Sequence, residues 1–177
     1  MGATIAKLIS LYCGPAAKII VIAPSIEIEG TNRRIGGFVR KIQQELTELN
    51  ILQIIPVITD FTENAYQIIE NETKRILKTS GELDALYITN GYAHPVCNAV
   101  RESGRHIQVF GHESFASISD YLQTGPLTAT IHQNPQQQWY DALLLMANYL
   151  INKVVPSPQI NANCYVLTKE TYPMINL

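Results

Sequence analysis

The chain has 177 residues, enough for one domain with a sizeable core that needs neither disulfides nor a structural metal. Its hydrophobic content of 46% is ordinary for a globular protein, whereas charged residues, at 16%, fall short of the usual share of about a quarter; that suits elements buried on two sides, or surface that meets other protein. A net charge of −2, with basic residues only in isolated pairs such as Arg33-Arg34 and Arg40-Lys41, excludes an extended basic face for nucleic acid.

Three widely spaced cysteines, Cys13, Cys97 and Cys164, do not form a disulfide framework. They fit a reducing compartment, and the expectation is a cytoplasmic protein. His94 with Cys97 is the nearest approach to a metal-ligand pair, and two ligands do not make a zinc site. Cys97 reads instead as a buried thiol on a core helix, and neither a metal nor a cofactor is expected. No apolar run reaches the roughly 20 residues that cross a bilayer, and the start lacks the basic flank and cleavage site of a signal peptide. The sequence enters an apolar helix almost at once, which reads as a cut inside a longer protein.

In chain order, Ile5, Leu8, Ile9 and Tyr12 repeat at helical spacing and predict a helix over 4–12 that Gly14-Pro15 stops. Lys18 to Ala23 is a continuous β-branched run, the pattern of a strand buried on both faces. A helix capped by Thr31 or Asn32 is expected to run to Leu49 with Ile35, Phe38, Val39, Ile42 and Leu46 inward. Gly36-Gly37 weakens its start by about 1 kcal/mol per glycine, which close packing or a nearby ligand would explain. Leu52 to Thr59 is a second strand, placed outermost by Pro56. A helix over 62–79 follows. The apolar strand Asp84 to Thr89 then runs into the turn Asn90-Gly91. Further segments are a helix from Tyr92 or Ala93 to Ser103, a strand over 107–111, a helix capped by Ser114 and running to Gln123, and a strand over 128–132. A long helix opens at Asn134-Pro135 and runs to Lys153, and the stretch 160–167 could add an edge strand. Five alternations of strand and helix with short loops predict an α/β, doubly wound, mainly parallel five-stranded sheet in the order 2-1-3-4-5, with helices on both faces.

In such a sheet the carboxyl ends of the strands form the binding rim. Ser25, Glu27, Arg33, Arg34, Asp60, Asn90, Tyr92, His112, Glu113, His132, Gln133 and Asn134 all fall there. Planar amide, guanidinium and carboxylate groups beside aromatic rings suit vicinal hydroxyls, as in a sugar. No Gly-rich phosphate loop and no nucleophile elbow occurs. His112 with Glu113 is the one candidate acid/base pair, but adjacent residues point in different directions.

The ordered set Arg34-x-x-Gly37-Phe38, Asn90, Val109-Phe110-Gly111-His112-Glu113 and Leu127 to Pro135 resembles the LacI/GalR family of transcription regulators and the periplasmic sugar-binding proteins that share their effector-binding fold. The resemblance covers essentially the whole chain. It implies the C-terminal part of a two-lobed effector-binding domain: residues 1–134 as the second lobe, 135–153 as a helix toward a first lobe, and 154–177 as a tail. The DNA-binding helix-turn-helix would lie outside this chain. It also implies a carbohydrate-like effector held by Arg34, Asn90 and Glu113, with Gln133 near the crossover between lobes, and no catalysis; the rim reading adds Gln133, Tyr92 and Asp60 to the expected ligand-binding set. Two departures stand out: Gly91 replaces the family's usual Asp after the asparagine, and Glu113 replaces an Asp. The helix over 135–153 is apolar nearly all round and needs covering on two sides, so a homodimer is expected. DNA contact would come only through the absent domain, and no membrane contact is expected. A soluble sugar-binding component of a transporter or sensor is the alternative, and a hydrolase using His112 and Glu113 is a third reading.

Overall fold

The computed structural model describes residues 1–59 and 64–172. Its elements are α1 (Gly2–Cys13), β1 (Lys18–Pro24), α2 (Glu29–Glu45), β2 (Asn50–Val57), α3 (Ala65–Thr79), β3 (Ala85–Ile88), α4 (Ala93–Ser103), β4 (Gln108–His112), α5 (Ser119–Thr124, after a 3-10 turn over Ala116–Ile118), β5 (Leu127–His132), α6 (Pro135–Asn152) and β6 (Tyr165–Leu167). The sheet runs β2-β1-β3-β4-β5-β6. The first five strands are parallel and in the expected order, and β6 adds an antiparallel edge, with Thr130 opposite Leu167.

The β-branched run forms β1 because both of its faces are covered. Ile20 and Ile22 join Ile69, Leu86, Val96 and Val109 under α3, α4 and α5. Ile19 and Val21, one residue out of phase, join Ile5, Phe38, Tyr87 and Phe110 under α1 and α2. Burying each large side chain contributes about 1.5–3 kcal/mol. Pro56 sits in β2, opposite Ala23 of β1 at the sheet's other edge, where its missing N–H costs no ladder bond.

Local signals misplaced several boundaries. α2 begins at Glu29, after an extended Ile28, so Thr31 is a buried residue of the first turn and not its cap. Glu29 there complements the helix dipole. The same helix stops at Glu45, short of Leu49. Ser114 caps no helix: its Oγ lies 2.7 Å from His132 Nδ1. Asn134 does cap α6, accepting from Gln137 N at 3.2 Å, with Pro135 next. The expected start of α3 at Thr62 lies outside the described residues.

Close packing occurs at a different glycine from the pair expected. A Cβ on Gly36 would meet nothing within 4 Å, and one on Gly37 only Ala3 N at 3.7 Å. A Cβ on Gly2 would fall 1.8 Å from the Arg34 carbonyl oxygen and 2.9 Å from Phe38 N. The first turn of α1 therefore lies directly on α2, beneath Arg34. At the other end α6 stands off the lobe. None of its residues is buried, and Trp139 and Ile151 are 72% and 77% exposed.

Candidate functional site

Arg34 leans from α2 across the end of β3. Its Nη1 donates to the Thr89 carbonyl at 2.7 Å, and its Nη2 lies 3.9 Å from Glu113 Oε1. Gln133 Nε2 donates to that same oxygen. Both charged side chains are largely shielded, 15% and 21% exposed. Burial pushes the Glu113 carboxyl above its ordinary 4.5, and the Arg34 charge and a Gln133 hydrogen bond pull it back only part of the way. Arg34, Glu113 and Gln133 thus converge from α2, β4 and β5 onto one point of the rim.

The backbone under this cluster is strained. Glu113 has φ 66, and Ser25 and Asn134, which follow β1 and β5, have φ 55 and φ 49. Three of the four non-glycine residues with positive φ among those described therefore sit on the rim. Such conformations persist where surrounding bonds overdetermine them, and they cluster at functional sites. At Glu113 the clamp is visible: its N–H donates to the Ile131 carbonyl at 2.8 Å, and Thr130 Oγ1 donates to the Glu113 carbonyl at 2.7 Å. β5 therefore holds the turn that aims the carboxylate at Arg34.

Asn90 follows β3 after a single residue, Thr89. Its Oδ1 accepts from Tyr92 N at 3.3 Å, leaving Nδ2 as its donor at the rim. The Tyr92 ring lies edge-on to Tyr66 with centroids 5.3 Å apart and packs on the α3–α4 core. Arg33 is also peripheral, paired with Glu29 one turn earlier on the solvent side. Asp60 lies outside the described residues.

His112 is no rim residue. It is fully buried, with Nε2 2.8 Å from the Tyr87 hydroxyl, and burial together with the Arg34 charge lowers it from 6.5 to about 2. It stays neutral and diverges from Glu113, so the two do not form an acid/base pair. His94 and Cys97 do not converge either: Cys97 is buried in the α3–α4 core, and the His94 ring lies against Tyr66 and Tyr121. Among the described residues no group of three or more His, Cys, Asp or Glu could hold a metal ion.

A cleft of ≈ 320 Å³ opens between α6 and the segment before β6, lined by Gln133, Gln138, Asp141, Asn163 and Tyr165 among others. It shares Gln133 with the cluster but not Arg34, Asn90 or Glu113. The buried polar network and the strained clamp mark the Arg34 cluster as the better candidate site. Phe115, which no sequence pattern singled out, borders that cluster: a Cβ on Gly91 would meet its ring.

A family model described as a periplasmic binding protein domain matches residues 1–153. The chain belongs to the periplasmic binding protein domain family. A search of curated proteins finds no match. Among solved structures the chain is similar to an ABC transporter periplasmic solute binding protein from Actinobacillus succinogenes 130z with bound D-allose (20% identity, TM-score 0.86, 98% of this chain and 60% of that one). It is similar to GanP, a glucose-galactose binding protein from Geobacillus stearothermophilus (23%, 0.85, 97% and 60%). It is also similar to a putative LacI transcriptional regulator from Bacteroides fragilis (14%, 0.81, 99% and 61%). At these identities the likeness is one of fold, and the chain spans about 60% of the length of these relatives. In this periplasmic binding protein domain a Cβ at position 91 would lie 3.1 Å from the Phe115 ring, a tight contact that the ring would relieve by moving a few tenths of an ångström.

Proposed function

We propose that the chain is the C-terminal lobe of a two-lobed receptor that closes on a carbohydrate-like small molecule. Residues 1–134 form the lobe, α6 leads toward the other lobe, and residues 154–177 form the tail. Arg34, Asn90, Glu113 and Gln133 hold the ligand. The observation that carries this reading is the convergence of Arg34 and Gln133 on Glu113, whose left-handed backbone is clamped by β5. A carboxylate and a guanidinium fixed side by side can accept from one hydroxyl and donate to its neighbour. The naked apolar surface of α6 supports a covering lobe or copy.

Of the two functional settings, a soluble sugar-binding component of a transporter or sensor is the better supported, since the solute-binding and glucose-galactose-binding proteins are structural neighbours. The second reading is the effector domain of a cytoplasmic LacI-type regulator, in which ligand shifts a closure equilibrium read by a helix-turn-helix domain beyond these residues. It is favoured by the likeness to the Bacteroides fragilis protein and by three free cysteines. The coding sequence upstream discriminates: a signal peptide supports the first, a helix-turn-helix the second.

Calorimetric titration of the chain with D-allose, D-glucose and D-galactose tests the site. Arg34→Ala and Asn90→Ala are each expected to weaken binding about tenfold or more, the loss typical of a hydrogen bond to a charged or fixed polar group. Unchanged affinity in both variants would place the site elsewhere.

A further inference from the structure

Inside the polar rim lies one apolar junction. A Cβ on Gly91 would sit 3.1 Å from Phe115 Cε2, 3.6 Å from Cζ and 3.7 Å from Glu113 Cβ. The first distance is shorter than the roughly 3.5–4.0 Å of an ordinary carbon contact. The ring therefore crowds the position a side chain at 91 would take, next to the carboxylate-bearing residue of the cluster. Its backbone is fixed: Phe115 is extended, and its carbonyl accepts from Ile118 N at 3.0 Å in the turn before α5. The side chain is 50% exposed, so half of it stays open to solvent beside Gly91.

The consequence is chemical. A carboxylate or amide at 91 would bind a ligand hydroxyl. An aromatic ring binds C–H groups, which carry slight positive charge, and gives a hydroxyl no acceptor to replace water. We propose that Phe115, seated over Gly91, is a specificity-determining residue of this site: it selects carbohydrates that present a deoxygenated, C–H-rich edge to the Asn90-Gly91 turn over their fully hydroxylated parents. The proposal rests on the carbohydrate reading of the rim.

The test is a set of NMR-monitored titrations of the 177-residue chain with matched sugars: D-glucose against its 2-deoxy and 6-deoxy forms, and D-galactose against its 6-deoxy form. At least one deoxy sugar is expected to bind roughly 2- to 10-fold more tightly than its parent. Phe115→Tyr, which keeps the ring, retains that preference. Phe115→Ala and Phe115→Leu both abolish it; the leucine variant keeps the apolar volume and serves if the alanine variant does not fold. Parents that bind as tightly as every deoxy partner, or a preference that survives loss of the ring, overturn the role of Phe115 while leaving the sugar site standing. Absence of binding by every sugar at millimolar concentration overturns both the proposal and the reading beneath it.

Discussion

At Glu113 a left-handed backbone, a shielded carboxylate and a raised proton affinity coincide. The sign of the resulting pH dependence follows from burial. Because the folded protein binds this proton more tightly than the unfolded chain, Glu113 favours folding fully only below its ordinary 4.5, and that contribution is lost as pH rises through the folded value. Wild type should therefore lose stability relative to Glu113→Gln as pH climbs from below 4.5, with the difference levelling off above the raised value. Denaturant midpoints across that window check this. His112 works in the opposite direction. Its folded value is depressed to about 2, so its contribution is present above 6.5 and is lost as pH falls toward 2. The His112 contribution should fall by up to about 1.4 kcal/mol per pH unit below roughly pH 6, and the difference in stability between wild type and His112→Gln should follow that slope. Ordered motifs in the sequence mark Arg34, Asn90, Glu113 and Gln133, and the structure brings Arg34, Glu113 and Gln133 together. The burial of His112 was not legible there, because its partner Tyr87 comes from the neighbouring strand. Nor was Phe115, whose ring lies against Gly91 of another loop.

Elements were read correctly where burial alone dictates them. Lys18 to Ala23 is too short for a buried helix and rich in β-branched residues, and both of its faces are covered. The reading failed where a tertiary partner overrides a local signal: Ser114 has the look of a helix cap, but its hydroxyl goes to His132. The glycines show the same contrast. Gly36-Gly37 attracts notice as a pair inside a helix, although side chains fit there, while Gly2 looks incidental and sits against the Arg34 carbonyl. Gly36→Ala should stabilise the chain by up to about 1 kcal/mol by removing helix-interior glycine. Gly2→Ala should destabilise it by about 1–3 kcal/mol, or fray the first turn of α1, because the two helices must part. Thermal unfolding of the two variants separates these outcomes.

Among the described residues the sheet and its packed helices form a well-filled unit, and α6 is left uncovered. Trp139, Leu143, Met146 and Leu150 follow one another along α6, and Tyr140, Leu144, Tyr149 and Ile151 share its other faces, all largely exposed. An apolar surface of this kind is unusual for a lone soluble domain and marks an interaction site. The 177-residue chain is therefore expected to self-associate at micromolar concentration, with Leu143→Glu and Leu150→Glu together returning it to a monomer; light scattering that finds wild type strictly monomeric would oppose this. The central claim, a carbohydrate site on the Arg34–Asn90–Glu113 rim, is tested most directly by following backbone amide resonances during titration with D-allose, D-glucose and D-galactose. Saturable shifts centred on Asn90, Gly91, Glu113 and Gln133 are expected with at least one sugar. Shifts confined to the cleft between α6 and β6, or none with any of the three, would contradict it.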